Sequence, residues 1–174
     1  MNGLFAEAGL APPVWEPILL GGLFKRFDRD SWANGPDRAE GLAEVERRAE
    51  AYNLPPIRWP DPFPGNTLVA MRAATYAKQT GRAVAFSLAG FRQAFAAGRD
   101  LSEPDNVLLA AAAAELHPNA ITSAVGQDSV KRALREATER AGDLGVRGVP
   151  SIAIGERVWW GDDQLEAAVA EAAG

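Results

Sequence analysis

Apolar residues recur every three or four positions through the middle of the chain, which is the spacing of an amphipathic helix. In segment 38–52, for example, Leu42, Val45 and Ala49 fall on one helical face between charged residues. Asn66 precedes a similar run and predicts a helix start, because its side-chain oxygen accepts a backbone N–H there. The predicted helices are 38–52, 66–76, 82–97, 103–116 and 128–141.

A short β-rich run precedes this helical region. Residues Leu4–Ala8 read as the end of a helix that Gly9 closes. The apolar run Val14–Leu20 then predicts a strand, and Pro17 places that strand at a sheet edge or a bulge. The chain thus passes from the end of a helix directly into a strand. This order predicts that the first elements of the domain lie upstream.

A second β-rich region follows the helices. Residues 151–154 and 157–160 are two apolar runs joined by a Gly-Glu pair, which predicts a β-hairpin. The segment 162–172 then has apolar residues at helical spacing and two aspartates at its start, which is typical of a capped amphipathic helix.

The order of strand, helices, hairpin and helix predicts an α/β fold with a helical insertion. We assign residues 1–35 and 142–174 to a partial α/β core, and residues 36–141 to the all-helical insertion. Segment 55–64 holds five prolines and is predicted to be an extended connector.

Composition and charge exclude several classes of function. A formal net charge of −5 gives nucleic acid no electrostatic reason to bind. The sequence has no cysteine, so it contains no disulfide, thiolate metal site or cysteine nucleophile. Its single histidine, His117, is expected to end a helix rather than to bind metal or act in catalysis. Neither a signal peptide nor a membrane span is recognisable, so we expect a cytoplasmic protein.

Four stretches of the sequence carry a family resemblance. They are Gly148–Ser151 with Trp160–Leu165, Trp15–Lys25, Pro62–Leu68 and Gly98–Asp100. In order and spacing they resemble the 2-hydroxychromene-2-carboxylate isomerases and kappa-class glutathione transferases, which have a DsbA-like thioredoxin fold. The resemblance implies a thioredoxin-like sheet with a large helical insertion. It also implies that the chain is N-terminally incomplete, because the family's reactive serine precedes the first matching stretch. We therefore expect this chain to be inactive.

The resemblance implies a glutathione site. Val149, before a cis Pro150, would pair its backbone with the cysteinyl residue of glutathione. Asp162 and Asp163 would hold its γ-glutamyl end, and Lys25 would lie near its glycine carboxylate. Each residue also has a structural explanation: a trans proline that begins a strand, helix-capping aspartates and a surface lysine.

The resemblance further implies an aromatic acid as substrate. Trp59 and Phe63 would line its pocket and Asn66 would lie at the mouth. A helix-capping role would also account for Asn66. Trp160 is expected to be an ordinary core aromatic residue. The predicted function is glutathione-dependent isomerisation, with a homodimer as one form of assembly. Two alternatives stay open: a non-catalytic binding module, and a disulfide oxidoreductase whose cysteine pair lies upstream.

Overall fold

The computed structural model describes residues 2–174, which fold into helices around one β-hairpin. The elements are α1 (Asn2–Glu7), α2 (Leu20–Arg26), α3 (Arg38–Ala51), α4 (Leu68–Gln79), α5 (Ala83–Phe91), α6 (Pro104–Ala113), α7 (Pro118–Ala124), α8 (Asp128–Asp143), β1 (Ser151–Ile154), β2 (Arg157–Trp160) and α9 (Leu165–Ala173). A π-helical turn, Arg92–Ala96, continues α5, and short 3₁₀ turns precede α3 and α9.

The main core lies among α4, α5, α6 and α7. Phe86, Val107 and Ile121 fill its centre, and alanines make up most of the remaining buried surface. Small side chains let helix backbones approach closely, so this alanine-rich packing needs few large residues. The buried alanines are Ala70, Ala73, Ala74, Ala77, Ala89, Ala110, Ala111 and Ala114.

Helix α8 joins this core to the N-terminal part of the chain, because it packs against both α4 and α2. Leu23 on α2 is only 1% exposed. Gly22 brings the α2 backbone close to Thr138 on α8, where an added Cβ would lie 3.0 Å from the threonine Cγ2. The Thr138 hydroxyl accepts a hydrogen bond from the Leu19 N–H at 3.0 Å, which fixes the start of α2.

The predicted strand at 14–20 is wrong. Residues 14–19 have no regular structure, Leu20 already begins α2, and Val14 is 85% exposed. A strand needs a neighbouring backbone to pair with. The only sheet within residues 2–174 is the hairpin, whose two strands pair with each other. Glu16 instead anchors the segment through ion pairs with Lys78 on α4 and Arg140 on α8.

The hairpin prediction is confirmed. β1 and β2 pair antiparallel in the register Ser151↔Trp160 to Ile154↔Arg157, and Gly155 takes a positive φ of 58° in the turn. Helix α9 packs on both strands, and α1 packs on α9. The predicted helix 162–172 is confirmed as a 3₁₀ turn followed by α9.

The helical predictions are confirmed at 38–52, 66–76, 103–116 and 128–141, and the predicted helix 82–97 is α5 with its π-helical turn. His117 corrects one of them. It precedes α7, which was not predicted, and its Nδ1 accepts the Asn119 N–H at 3.2 Å. It therefore begins a helix instead of ending one. Pro118, at the first helical position, is the signal that indicated this start.

Candidate functional site

The Val149–Pro150 loop presents free backbone groups at the surface. Its peptide bond is cis, as predicted. Val149 is 48% exposed, and within residues 2–174 its own N–H and C=O make no hydrogen bond. The loop is nevertheless held on both sides of that residue. The Gly161 N–H donates to the Pro150 carbonyl at 3.0 Å, and the Ser151 hydroxyl donates to the Gly148 carbonyl at 2.8 Å.

Trp160 lies against this loop and is not the core residue that we expected, since it is 53% exposed. Its indole covers Gly148 so closely that an added Cβ would come within 2.4 Å of Nε1. The Arg29 guanidinium lies over the Trp160 ring, with Cζ 5.9 Å from the ring centroid. The tryptophan therefore contacts both an arginine side chain and the backbone of the loop.

Asp162 is held by helix α3. Its carboxylate accepts hydrogen bonds from Arg48 Nη1 at 2.6 Å and from the Tyr52 hydroxyl at 2.8 Å. The Tyr52 hydrogen bond lowers the pKa of Asp162, and Arg48 acts in the same direction. The same bond raises the pKa of Tyr52, because ionisation would place two negative oxygens together. Arg48 also pairs with Glu44, so Asp162 joins a small charged network.

Asp163 remains accessible. Its only side-chain hydrogen bond within residues 2–174 is one accepted from Gln164 at 3.2 Å. It lies on the rim of a surface hollow of about 230 Å³. Gly161, with φ 114°, makes the turn before it, and a Cβ there would lie 2.3 Å from Asp163 Oδ1. The hollow is lined by Leu4, Tyr52, Asp162, Asp163, Leu165 and Glu166.

Lys25 lies on α2, exposed, with no ion pair or hydrogen bond from its side chain to any described residue. The chain that follows α2 does reach the Val149 loop. There Arg29 Nη1 donates to the Arg147 carbonyl at 3.4 Å. The structure thus brings the end of α2 to the loop by way of Arg29, a residue that the sequence did not single out.

Trp59 and Phe63 form an aromatic cluster with Phe95 from the π-helical turn. The ring centroids are 4.6 Å apart for Trp59–Phe63, 5.9 Å for Trp59–Phe95 and 6.3 Å for Phe63–Phe95. Asn66 Oδ1 accepts the Leu68 N–H at 3.1 Å, which confirms its capping role. A role of these residues in substrate binding stays a prediction.

Helix α3 contacts both predicted groups of site residues. Its Glu46 accepts a hydrogen bond from Trp59 Nε1 at 2.7 Å, whereas Arg48 and Tyr52 bind Asp162. Sequence reasoning did not identify these α3 residues. The available signal was weak: Arg48 and Tyr52 are four residues apart on the polar face of a predicted helix.

No group of three or more aspartate, glutamate or histidine side chains within residues 2–174 is placed to hold a metal ion. In the same part of the chain, no helix has both the length and the apolar character that crossing a membrane requires.

Comparison with known proteins defines the class. Residues 14–172 match the DSBA-like thioredoxin domain, and the chain belongs to that family. Among curated proteins it is similar to 2-hydroxychromene-2-carboxylate isomerase of Sphingobium xenophagum, with 26% identity over 125 residues. That alignment covers 72% of this chain and 63% of the relative, so the chain matches less than two thirds of the relative's length.

A solved structure agrees on the fold. The selenomethionine form of 2-hydroxychromene-2-carboxylate isomerase superposes with a TM-score of 0.79 at 19% identity, over 97% of this chain and 84% of that chain. Together with the family match, this confirms the predicted resemblance and the thioredoxin-like class with a helical insertion. The boundaries 1–35, 36–141 and 142–174 stay a prediction.

Proposed function

We propose that the Val149 loop binds glutathione and that the protein serves the glutathione-dependent isomerisation of an aromatic-derived acid. The observation that carries the proposal is that Val149 is an exposed residue whose backbone N–H and C=O make no hydrogen bond within residues 2–174. Such a backbone can pair with the cysteinyl residue of glutathione as one strand pairs with another. The similarity to an isomerase supports the type of reaction.

In the proposed reaction the glutathione thiolate adds to a C=C bond that is conjugated to a carbonyl group of the substrate. A C–S bond forms and the π-electron pair moves onto the carbonyl oxygen as an enolate, so the former C=C bond becomes single and can rotate. The C–S bond then breaks, the double bond re-forms, and the thiolate leaves unchanged. The residues of this chain would contribute by holding the tripeptide in position, because correct placement of two reactants lowers the barrier.

Asp163 would bind the γ-glutamyl ammonium group. It is exposed, it borders the hollow beside Tyr52, and its one side-chain partner within residues 2–174 is the neutral Gln164. A hydrogen bond between an ammonium group and a carboxylate is stronger than a neutral one. Asp163→Asn should therefore weaken glutathione binding by roughly tenfold, which calorimetric titration measures.

Asp105→Asn is the matched control. Asp105 also is an exposed aspartate in the first turn of a helix, but it belongs to α6 and not to the hollow. This variant should bind glutathione with wild-type affinity. If Asp163→Asn binds as tightly as Asp105→Asn, then Asp163 does not contact the ligand.

Turnover is tested separately from binding. We propose that residues 1–174 bind glutathione, and the isomerisation of 2-hydroxychromene-2-carboxylate is a separate property of the chain. An ultraviolet assay of that compound with glutathione present measures this. Turnover at a rate typical of enzymes would show that the catalytic group lies within the 174 residues.

A further inference from the structure

Two arginines lie at the Val149 loop without a carboxylate partner. Arg29 and Arg147 form no ion pair within residues 2–174, although the chain as a whole carries a net charge of −5. By contrast, Arg26 nearby is paired with Asp143 at 2.8 Å. Two cations without carboxylate partners beside an exposed loop form a positive patch on an acidic protein.

The end of α2 fixes the position of Arg29. Asp28 takes a left-handed conformation with φ 49°, and the Arg29 N–H then donates to the Phe24 carbonyl at 2.9 Å. A left-handed residue followed by a backbone hydrogen bond to the last turn is the ending that glycine usually provides at a helix C-terminus, and here Asp28 takes the position of that glycine. It turns the chain so that the Arg29 guanidinium reaches the Arg147 carbonyl and the ring of Trp160.

Aromatic rings hold both guanidinium groups. Arg29 Cζ lies 5.9 Å from the Trp160 ring centroid, and Arg147 Cζ lies 5.0 Å from that of Phe27. A guanidinium group that stacks on a ring keeps its N–H edge directed away from the ring face, where it can bind a planar anion through two parallel hydrogen bonds.

We propose that Arg29 and Arg147 bind the carboxylate group of the ligand that occupies the Val149 loop. The two residues are next to the loop: Arg147 is two positions before Val149, and the Arg29 guanidinium lies over the ring of Trp160, which covers Gly148. A carboxylate that binds either guanidinium group gains charge-assisted hydrogen bonds and compensates a charge that has no carboxylate partner within residues 2–174. This inference rests on the proposed function, and it assigns to these arginines the role that the sequence suggested for Lys25.

Two ligand carboxylates have the required chemistry: the glycine carboxylate of glutathione and the acid group of an aromatic substrate. Paired probes distinguish them. Glutathione is compared with its glycine ethyl ester, and 2-hydroxycinnamate with its amide, so that each pair differs only in the anionic group. Calorimetry measures affinities, and amide NMR shifts of Gly148 and Val149 report binding at the loop.

We expect wild-type protein to prefer one carboxylate probe over its neutral counterpart by about tenfold, and the Arg29→Gln/Arg147→Gln double variant to lose that preference. Arg132→Gln is the control, because Arg132 is an exposed arginine on α8 without contacts of this kind and its replacement removes one positive charge. It should keep the preference. The preference should also weaken in high salt.

The ratio of the two affinities separates recognition from distortion of the loop. A variant that merely displaces Trp160 weakens acid and neutral probes together and leaves the ratio unchanged, and that result overturns the inference. Equal binding of acid and neutral probes by wild-type protein also overturns it. If glutathione fails to bind while 2-hydroxycinnamate still prefers the arginines, the carboxylate site stands and the glutathione proposal is wrong.

Discussion

Gly148→Ala tests the contact on which the loop geometry depends. In the structure, a Cβ at Gly148 would lie 2.4, 2.5 and 2.7 Å from Nε1, Cε2 and Cζ2 of Trp160. Favourable carbon contacts are about 3.5–4.0 Å, so the indole or the loop must move by about 1 Å. An overpacked contact of this kind costs about 1–3 kcal/mol.

The exposure of Trp160 favours the lower part of that range. Since Trp160 is 53% exposed as a residue, its indole can rotate toward solvent instead of forcing the backbone apart. It would then lose its packing on Gly148 and its contact with Arg29, which by itself is worth about 0.5–1 kcal/mol at an exposed site. We expect Gly148→Ala to lower the free energy of unfolding by about 1–2 kcal/mol.

Urea denaturation followed by far-ultraviolet circular dichroism measures this change. Gly126→Ala is the control, because a Cβ there meets only the Ser123 carbonyl at an ordinary 3.5 Å. In a Trp160→Ala background the same Gly148 substitution should cost almost nothing, since the overlapping ring is gone. If Gly148→Ala is as stable as Gly126→Ala, or costs the same in both backgrounds, the contact does not hold the loop.

Two further predictions concern other parts of the chain. Asp162→Asn should destabilise the protein between about pH 4 and pH 10. Because Tyr52 and Arg48 lower the pKa of Asp162, the stability that its carboxylate contributes is lost as pH falls through that lowered pKa; it also declines when Tyr52 ionises at high pH. Wild-type and variant melting temperatures should therefore converge at low pH, and their difference should narrow at high pH, where Arg48 still pairs with the carboxylate; a constant difference would contradict this. Glu115→Gly should be more stable than Glu115→Ala by about 1 kcal/mol, because residue 115 has a φ of 60°, which glycine adopts without strain and alanine does not. Both variants lose the ion pair with Arg82, so the comparison isolates the backbone effect. Equal unfolding midpoints would show that the backbone is not strained at residue 115.

Local signals explain which parts of the fold could be predicted. The hairpin 151–160 was recognisable because the turn glycine and the two β-rich runs lie within ten residues of one another. The helices from 38 to 141, except α7, were recognisable from their apolar period. The strand predicted at 14–20 is wrong because a strand exists only when another backbone pairs with it, and local sequence does not show whether such a partner is present.

The same distinction applies to the candidate site. Val149, Pro150 and Asp163 lie within motifs that the sequence displays, and the structure places them on one exposed surface region around the hairpin. Arg29 and Trp160 could not be paired from the sequence, since 131 positions separate them and neither lies in a pattern that indicates the other. Such a contact can be predicted only when the packing of α2 against α8 is already known.

The contacts of α3 also change how the two aspartates divide their roles. Asp162 already accepts hydrogen bonds from Arg48 and Tyr52, and its depressed pKa reflects that pairing. A ligand ammonium group would have to compete with a guanidinium group for this carboxylate. Asp163 has only a neutral amide partner within residues 2–174, so its charge is the less compensated of the two. The sequence suggested an equivalent pair, whereas we propose that only Asp163 binds the ligand, because Asp162 is already hydrogen-bonded to Arg48 and Tyr52.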